Sequence, residues 1–151
     1  LLRSIKNHSS IAKLSALRRF CSVMAMTLHC GMNMAEGCRM AATLVDNDSV
    51  LPGVRACERE LESGKAFYDS IEPSGLFSGF DLQMIRIGSR AGQLETVMRE
   101  LEEDYDERSS DALDSLIARL EPAIVSVLAV AVGLVLLSVM LPLAGILSSI
   151  G

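Results

Sequence analysis

The sequence predicts an all-α protein: an antiparallel bundle of about six helices followed by one C-terminal transmembrane helix. Three observations carry that reading. Apolar residues recur every three or four positions through most of the first 120 residues, and no useful run alternates as a half-buried strand would. Glycine, proline and short polar clusters punctuate this pattern at intervals suited to short helices. The 14 basic and 19 acidic side chains all precede Pro122, so residues Pro122 to Gly151 carry no formal charge and no histidine.

A first amphipathic helix is expected over about Ile11 to Cys30, with Leu14, Leu17, Phe20, Val23, Met24 and Leu28 on its apolar side. Gly31 ends it, because glycine tolerates a left-handed backbone. Asn33 followed by Glu36 has the form of a capping box and starts a second helix that runs to about Val45. Asp46-Asn47-Asp48-Ser49 reads as a loop. A third helix then accepts Pro52 in its first turn and runs to Ser63, where Gly64 stops it. Ala66 to Ile71 is a short fourth helix ended by Pro73-Ser74-Gly75.

The fifth helix spans about Phe77 to Arg90, with Phe80, Met84, Ile85 and Ile87 expected on its apolar side. Gly88 and Gly92 bracket a sharp connection, and backbone permissiveness is the reason expected for both. From Gln93 the apolar series Leu94, Val97/Met98, Leu101, Tyr105, Ala112, Leu116, Leu120 marks one long helix. Glu95–Arg99 and Asp104–Arg108 stand at i,i+4 on its outer side, each pair worth about 0.2–0.5 kcal/mol. Pro122 lacks an amide donor, so a kink is expected there.

Ile124 to Leu141 is 18 residues long and holds twelve Leu, Ile or Val. Each contributes about −0.3 to −0.6 kcal/mol at mid-membrane, so insertion is favoured by several kcal/mol. A helix needs roughly 20 apolar residues to cross a bilayer, and a chain this short offers little protein to cover one that is apolar all round. Arg99, Arg108 and Arg119 sit on the N-terminal side of the span, which predicts a cytoplasmic bundle. The expected organisation is therefore an N-terminal segment over 1–10, read as truncated, a cytoplasmic helical domain over 11–120, and the span with its short tail over 121–151.

A net charge of −5 excludes an electrostatic nucleic-acid footprint. No GKS or GKT string follows a glycine-rich loop, so phosphate-loop chemistry is excluded, and no motif groups Ser, His and an acid. No catalytic residue, cofactor site or metal centre is expected. Cys21, Cys30, Cys38 and Cys57 lack CxxC spacing and read as small buried side chains, free of disulfides in a reducing compartment. His29 reads as a core histidine, and the methionines Met24, Met26, Met34 and Met40 as filling of an adaptable core.

Six of the eight residues from Glu100 to Glu107 are acidic: Glu100, Glu102, Glu103, Asp104, Asp106 and Glu107. Such a run is first a solvated helix face. The sharper readings are a docking surface for a basic partner and a weak oxygen-ligand cation site. Glu121 stands one residue before Pro122, where an acid is costly unless paired or facing water. Gly31, Gly64, Gly88, Gly92, Glu121, Pro122 and Pro142 are the candidate structural and coupling positions.

Four strings then suggest a family. They are Arg19-Phe20-x-x-x-Met24-Ala25-x-x-Leu28-x-Cys30-Gly31-Met32-x-Met34-x-Glu36; Glu62-Ser63-Gly64-Lys65-x-Phe67; Met84-Ile85-x-x-Gly88-x-x-x-Gly92-x-Leu94; and Leu120-Glu121-Pro122, with Leu141-Pro142-Leu143 after the span. In this order the chain resembles the F domain of type II secretion systems, found in inner-membrane platform proteins of secretion, type IV pilus and competence machines. It departs from the family at Ser89, where an acid is usual, at Ala91, at Asn33 and at Ser78. The family carries two such domains with three membrane helices, and this chain looks like the second, C-terminal copy.

The resemblance implies a non-enzymatic platform subunit of the bacterial inner membrane. It would couple a cytoplasmic assembly ATPase to pilin or pseudopilin, alongside other inner-membrane assembly proteins and as a homo-oligomer. A nearly continuous helix from Gln93 through the span would carry rotation or tilt. The alternative is a generic membrane-anchored helical adaptor or signalling bundle.

Overall fold

The computed structural model describes the backbone of residues 2–150 and the side chains of residues 8–150. It holds six helices: α1 Leu2–His29, α2 Met34–Leu44, α3 Leu51–Glu62, α4 Phe67–Ile71, α5 Gly79–Ala91 and α6 Leu94–Ile150. No strand occurs among the described residues. The chain divides after Ala112 into a helical bundle and a second unit that starts at Leu113. α1 is longer than its apolar pattern, which starts near Ile11, because the polar stretch before it is also helical.

The helix ends follow the local chemistry. After α1, Gly31 takes φ 67°, its amide donates to Leu28 O at 3.2 Å, and the Met32 amide reaches Thr27 O at 3.0 Å. That pair of bonds closes a left-handed cap. Gly64, at φ 90°, ends α3 the same way through Leu61 and Glu60. Asn33 Oδ1 accepts from the Ala35 amide at 2.9 Å and caps α2. Pro52 sits at the start of α3, where a missing amide donor costs nothing.

Side-chain contacts fix the direction of each helix in the bundle. Thr27 lies against Gly37 while Arg19 Nη1 donates to Leu44 O at 3.4 Å, so α1 and α2 run antiparallel. His29 meets Glu95 and Arg18 meets Asp106, so α1 and α6 also run antiparallel. Gly88 against Val97 and Asp81 against Tyr105 give the same relation for α5 and α6. The core joins Phe20, Met24, Cys38, Val54, Ile71, Ile85, Met98 and Leu101, all essentially unexposed.

Several apolar positions lie elsewhere than the pattern predicts. α5 buries Asp81, Ile85 and Gly88, a seam of i, i+4 and i+7. That rotation turns Phe80 and Ile87 outward, 75% and 66% exposed. Met26 and Met40 are exposed as well, while Met24 is fully buried, so only part of the methionine set fills the core. Cys30 is exposed just past the end of α1, whereas Cys21, Cys38 and Cys57 are buried free thiols.

In the second unit, α6 continues as helix past Pro122 and Pro142. Ser126 Oγ donates to Pro122 O at 2.8 Å, a local use of a carbonyl near the position where Pro122 withholds a donor. Its Leu, Ile and Val side chains from Ile124 to Ile150 are exposed throughout. α6 is the one helix among the described residues long and apolar enough to cross a membrane.

A Cβ at Gly37 would run into Thr27, whose branched side chain is buried and donates to Val23 O at 2.7 Å. Overpacking there costs about 1–3 kcal/mol, against about 1 kcal/mol of helix propensity gained by alanine. Gly37→Ala is therefore expected to lower the thermal midpoint of the full chain in detergent, read by far-UV circular dichroism. Adding Thr27→Ala is expected to restore part of the loss. An unchanged midpoint in Gly37→Ala contradicts the close approach.

Candidate functional site

Within the bundle, α6 buries Met98, Leu101 and Tyr105, a seam at i, i+3 and i+7. That seam leaves Glu100, Glu103 and Glu107 exposed, with Glu102 and Asp104 half-buried at its edges and Asp106 exposed. Arg108 pairs with Asp104, one turn earlier on the same helix. Arg18 Nε approaches Asp106 Oδ1 at 3.6 Å from α1. An open groove between α1 and α6 is lined by Arg18, Ser22, Met26, Arg99, Glu102, Glu103 and Asp106. The six acids thus separate into three that line a groove, one held by an arginine on its own helix, and two that face water.

His29 is not a core histidine. It is the last residue of α1, its side chain is 62% exposed, and its Nδ1 lies 3.0 Å from Glu95 Oε1. Arg99 Nη2 donates to the same carboxylate oxygen at 2.8 Å. Exposed pairs of this kind contribute about 0–1 kcal/mol, so they orient carboxylates more than they hold the fold. No group of three His, Cys, Asp or Glu suited to a metal ion occurs among the described residues. What this face offers chemically is a row of carboxylates beside an exposed methionine.

The bundle also contains a polar anchor that the sequence pattern does not announce. Asp81, in the first turn of α5, is buried and accepts a 2.6 Å hydrogen bond from Tyr105 Oη on α6. Arg108 Nη2 lies 3.6 Å from Asp81 Oδ1, and its guanidinium sits 5.2 Å from the Tyr105 ring centroid. Tyr105 continues an aromatic series: Phe20 to Phe77 at 5.9 Å and Phe77 to Tyr105 at 6.0 Å between centroids. Burial, then the bond to Asp81, hold the phenol well above the usual tyrosine range. An acid inside an otherwise apolar helix start, with a tyrosine on the next helix, is the signal by which it was findable.

The type II secretion system (T2SS), protein F family matches residues 20–142 of the chain. The chain belongs to that family. A type II secretion system protein F of Xanthomonas campestris pv. campestris is 29% identical over the whole chain and over 37% of its own length. A type 4 fimbrial assembly protein PilC of Pseudomonas putida is 26% identical over 85% of the chain and 32% of its own length. A protein transport protein HofC homolog of Haemophilus influenzae is 28% identical over 89% of the chain and 35% of its own length. The chain spans about a third of the length of the curated relatives it matches.

The strings that resemble the protein F family fall at structural joints. Gly31 and Gly64 are left-handed helix caps, and Gly92 takes φ 69° between α5 and α6. Gly88 differs from the expectation: its backbone is ordinary helix, and a Cβ there would stand 2.5 Å from Val97 Cγ2. Close approach of α5 to α6 is its reason, not backbone permissiveness. Glu121, Pro122 and Pro142 all lie in the second unit on α6, exposed, and none joins the acidic groove.

Tyr105→Phe removes the donor to a buried carboxylate and is expected to cost about 1–3 kcal/mol. The pH dependence has a definite sign. Above about pH 10 the unfolded phenol ionises while the folded one keeps its proton, so stability falls as pH rises. Thermal unfolding of the full chain between pH 8 and pH 11 is expected to show that fall, and Tyr105→Phe to flatten it. Equal pH profiles for the two chains contradict the anchor.

Proposed function

We propose that this chain is part of a non-enzymatic inner-membrane platform subunit of a type II secretion or type IV pilus-like assembly machine. Membership of the protein F family over residues 20–142 is the observation that carries the reading. The uncharged part of α6, from Pro122 onward, crosses the inner membrane, and the bundle faces the cytoplasm. Arg90, Arg99, Arg108 and Arg119 all precede the span, which supports that orientation. No Lys or Arg follows within residues 122–151.

The bundle couples an assembly ATPase to pilin or pseudopilin. α6 supports this because its residues belong both to the bundle and to the proposed span, so a twist or tilt imposed at Leu101 or Tyr105 has a helical path toward lipid. Glu121 and Pro122 stand where that path meets the headgroups. The exposed carboxylates Glu100, Glu103 and Glu107, with Glu102 and Asp106 at the groove, are the docking surface for a basic region of the partner. Other inner-membrane assembly proteins and further copies of the chain complete the platform.

The test is made in cells lacking the chromosomal copy and complemented with the full-length gene. A photo-crosslinking residue at Glu103 is expected to capture the assembly ATPase, and one at Val130 to capture pilin or another membrane subunit. Glu103→Lys combined with Asp106→Lys is expected to lower secretion or pilus output about tenfold or more at unchanged protein level, since it reverses charge across a docking face. Normal output from that variant contradicts docking at this face. Capture of receptors unrelated to filaments or secretion contradicts the platform reading.

A further inference from the structure

We propose that Met24, Cys38 and Cys57 form a binding site for a soft monovalent metal ion of the cuprous class. The three residues come from α1, α2 and α3, and all are completely buried. Cys38 Sγ stands at the centre of the group, 3.9 Å from Met24 Sδ and 3.8 Å from Cys57 Sγ. Three sulfurs around a trigonal ion with metal–sulfur bonds of about 2.3 Å are separated by about 4 Å. Both measured edges match the sulfur spacing of a three-coordinate ion. The donor set is two thiols and a thioether, which selects cuprous copper over hard or oxygen-seeking cations.

Both thiols are core side chains that form no disulfide. The neighbouring carboxylate of Glu58 is already held by Arg39 Nε and Arg55 Nη1, each at 3.2 Å. The contact with Cys57 and burial keep the Cys38 thiol protonated, so this sulfur is unreactive toward alkylating agents in the empty state. Binding exchanges two thiol protons, released to solvent, for two metal–thiolate bonds, while Met24 adds a neutral thioether bond. No electron is transferred, and the site passes from neutral to one net negative charge. An ion held by all three residues ties α1, α2 and α3 together and stabilises the folded bundle through binding linkage.

The experiment uses the full chain in detergent with Cys30→Ser, which removes the exposed thiol. Silver(I), as a redox-inert probe, and anaerobic copper(I) are titrated separately. The expected result is one ion per chain, a raised thermal midpoint, and loss of both on adding Cys57→Ser but not on adding Cys21→Ser. X-ray absorption of the copper-loaded Cys30→Ser chain needs no core substitution and is expected to show sulfur-only ligands at about 2.3 Å. Absence of uptake, uptake indifferent to Cys57→Ser in a variant that still folds, or nitrogen and oxygen ligands at the copper would each overturn the assignment.

Discussion

Apolar surface needs a cover, and α6 carries far more of it than the bundle can bury. Met98, Leu101 and Tyr105 are buried in the core of the bundle. In the second unit, Leu113, Ile117, Leu120 and then the long Leu, Ile and Val series are exposed. Exposing one such side chain to water costs about 1.5–3 kcal/mol relative to burial. More than a dozen of them together exceed the stability of an ordinary domain, about 5–15 kcal/mol. The surroundings of this segment must therefore be apolar, and a bilayer supplies them.

The bundle is organised to hold the other end of α6 firmly. Its aromatic series leads from Phe20 on α1 through Phe77 to Tyr105, and the tyrosine hydroxyl is then committed to Asp81. A buried carboxylate without donors would be costly. Here Tyr105 and Arg108 both approach it from α6, so the start of α5 is tied to one turn of the long helix. Gly88 allows the two helices to touch at Val97. Rotation of α6 against α5 would break the hydrogen bond and the close contact together, which gives this part of α6 one defined setting in the bundle.

Local chemistry made much of this legible in the sequence. Left-handed caps at Gly31 and Gly64, the Asn33 cap and Pro52 at a helix start depend on a few neighbouring residues, so the chain order alone reveals them. Features set by tertiary rotation were hidden. Phe80 and Ile87 have the spacing of a core stripe, but the buried seam of α5 runs through Asp81, Ile85 and Gly88, and neither aspartate nor glycine registers as apolar. His29 and Cys30 fall just beyond the covered part of α1, a boundary that periodicity does not mark. The acidic run was visible as a run, but which of its members line a groove depends on α1, remote in sequence.

The central claim, that the chain is held in a bilayer by the second half of α6, is tested most directly by accessibility. In membranes carrying the full chain with Cys30→Ser, a cysteine placed at Gly133 is expected to resist a membrane-impermeant maleimide from either side. A cysteine placed at Glu103 should react readily from the cytoplasmic side alone. Rapid labelling at position 133, or labelling at position 103 from the opposite side, would contradict the account.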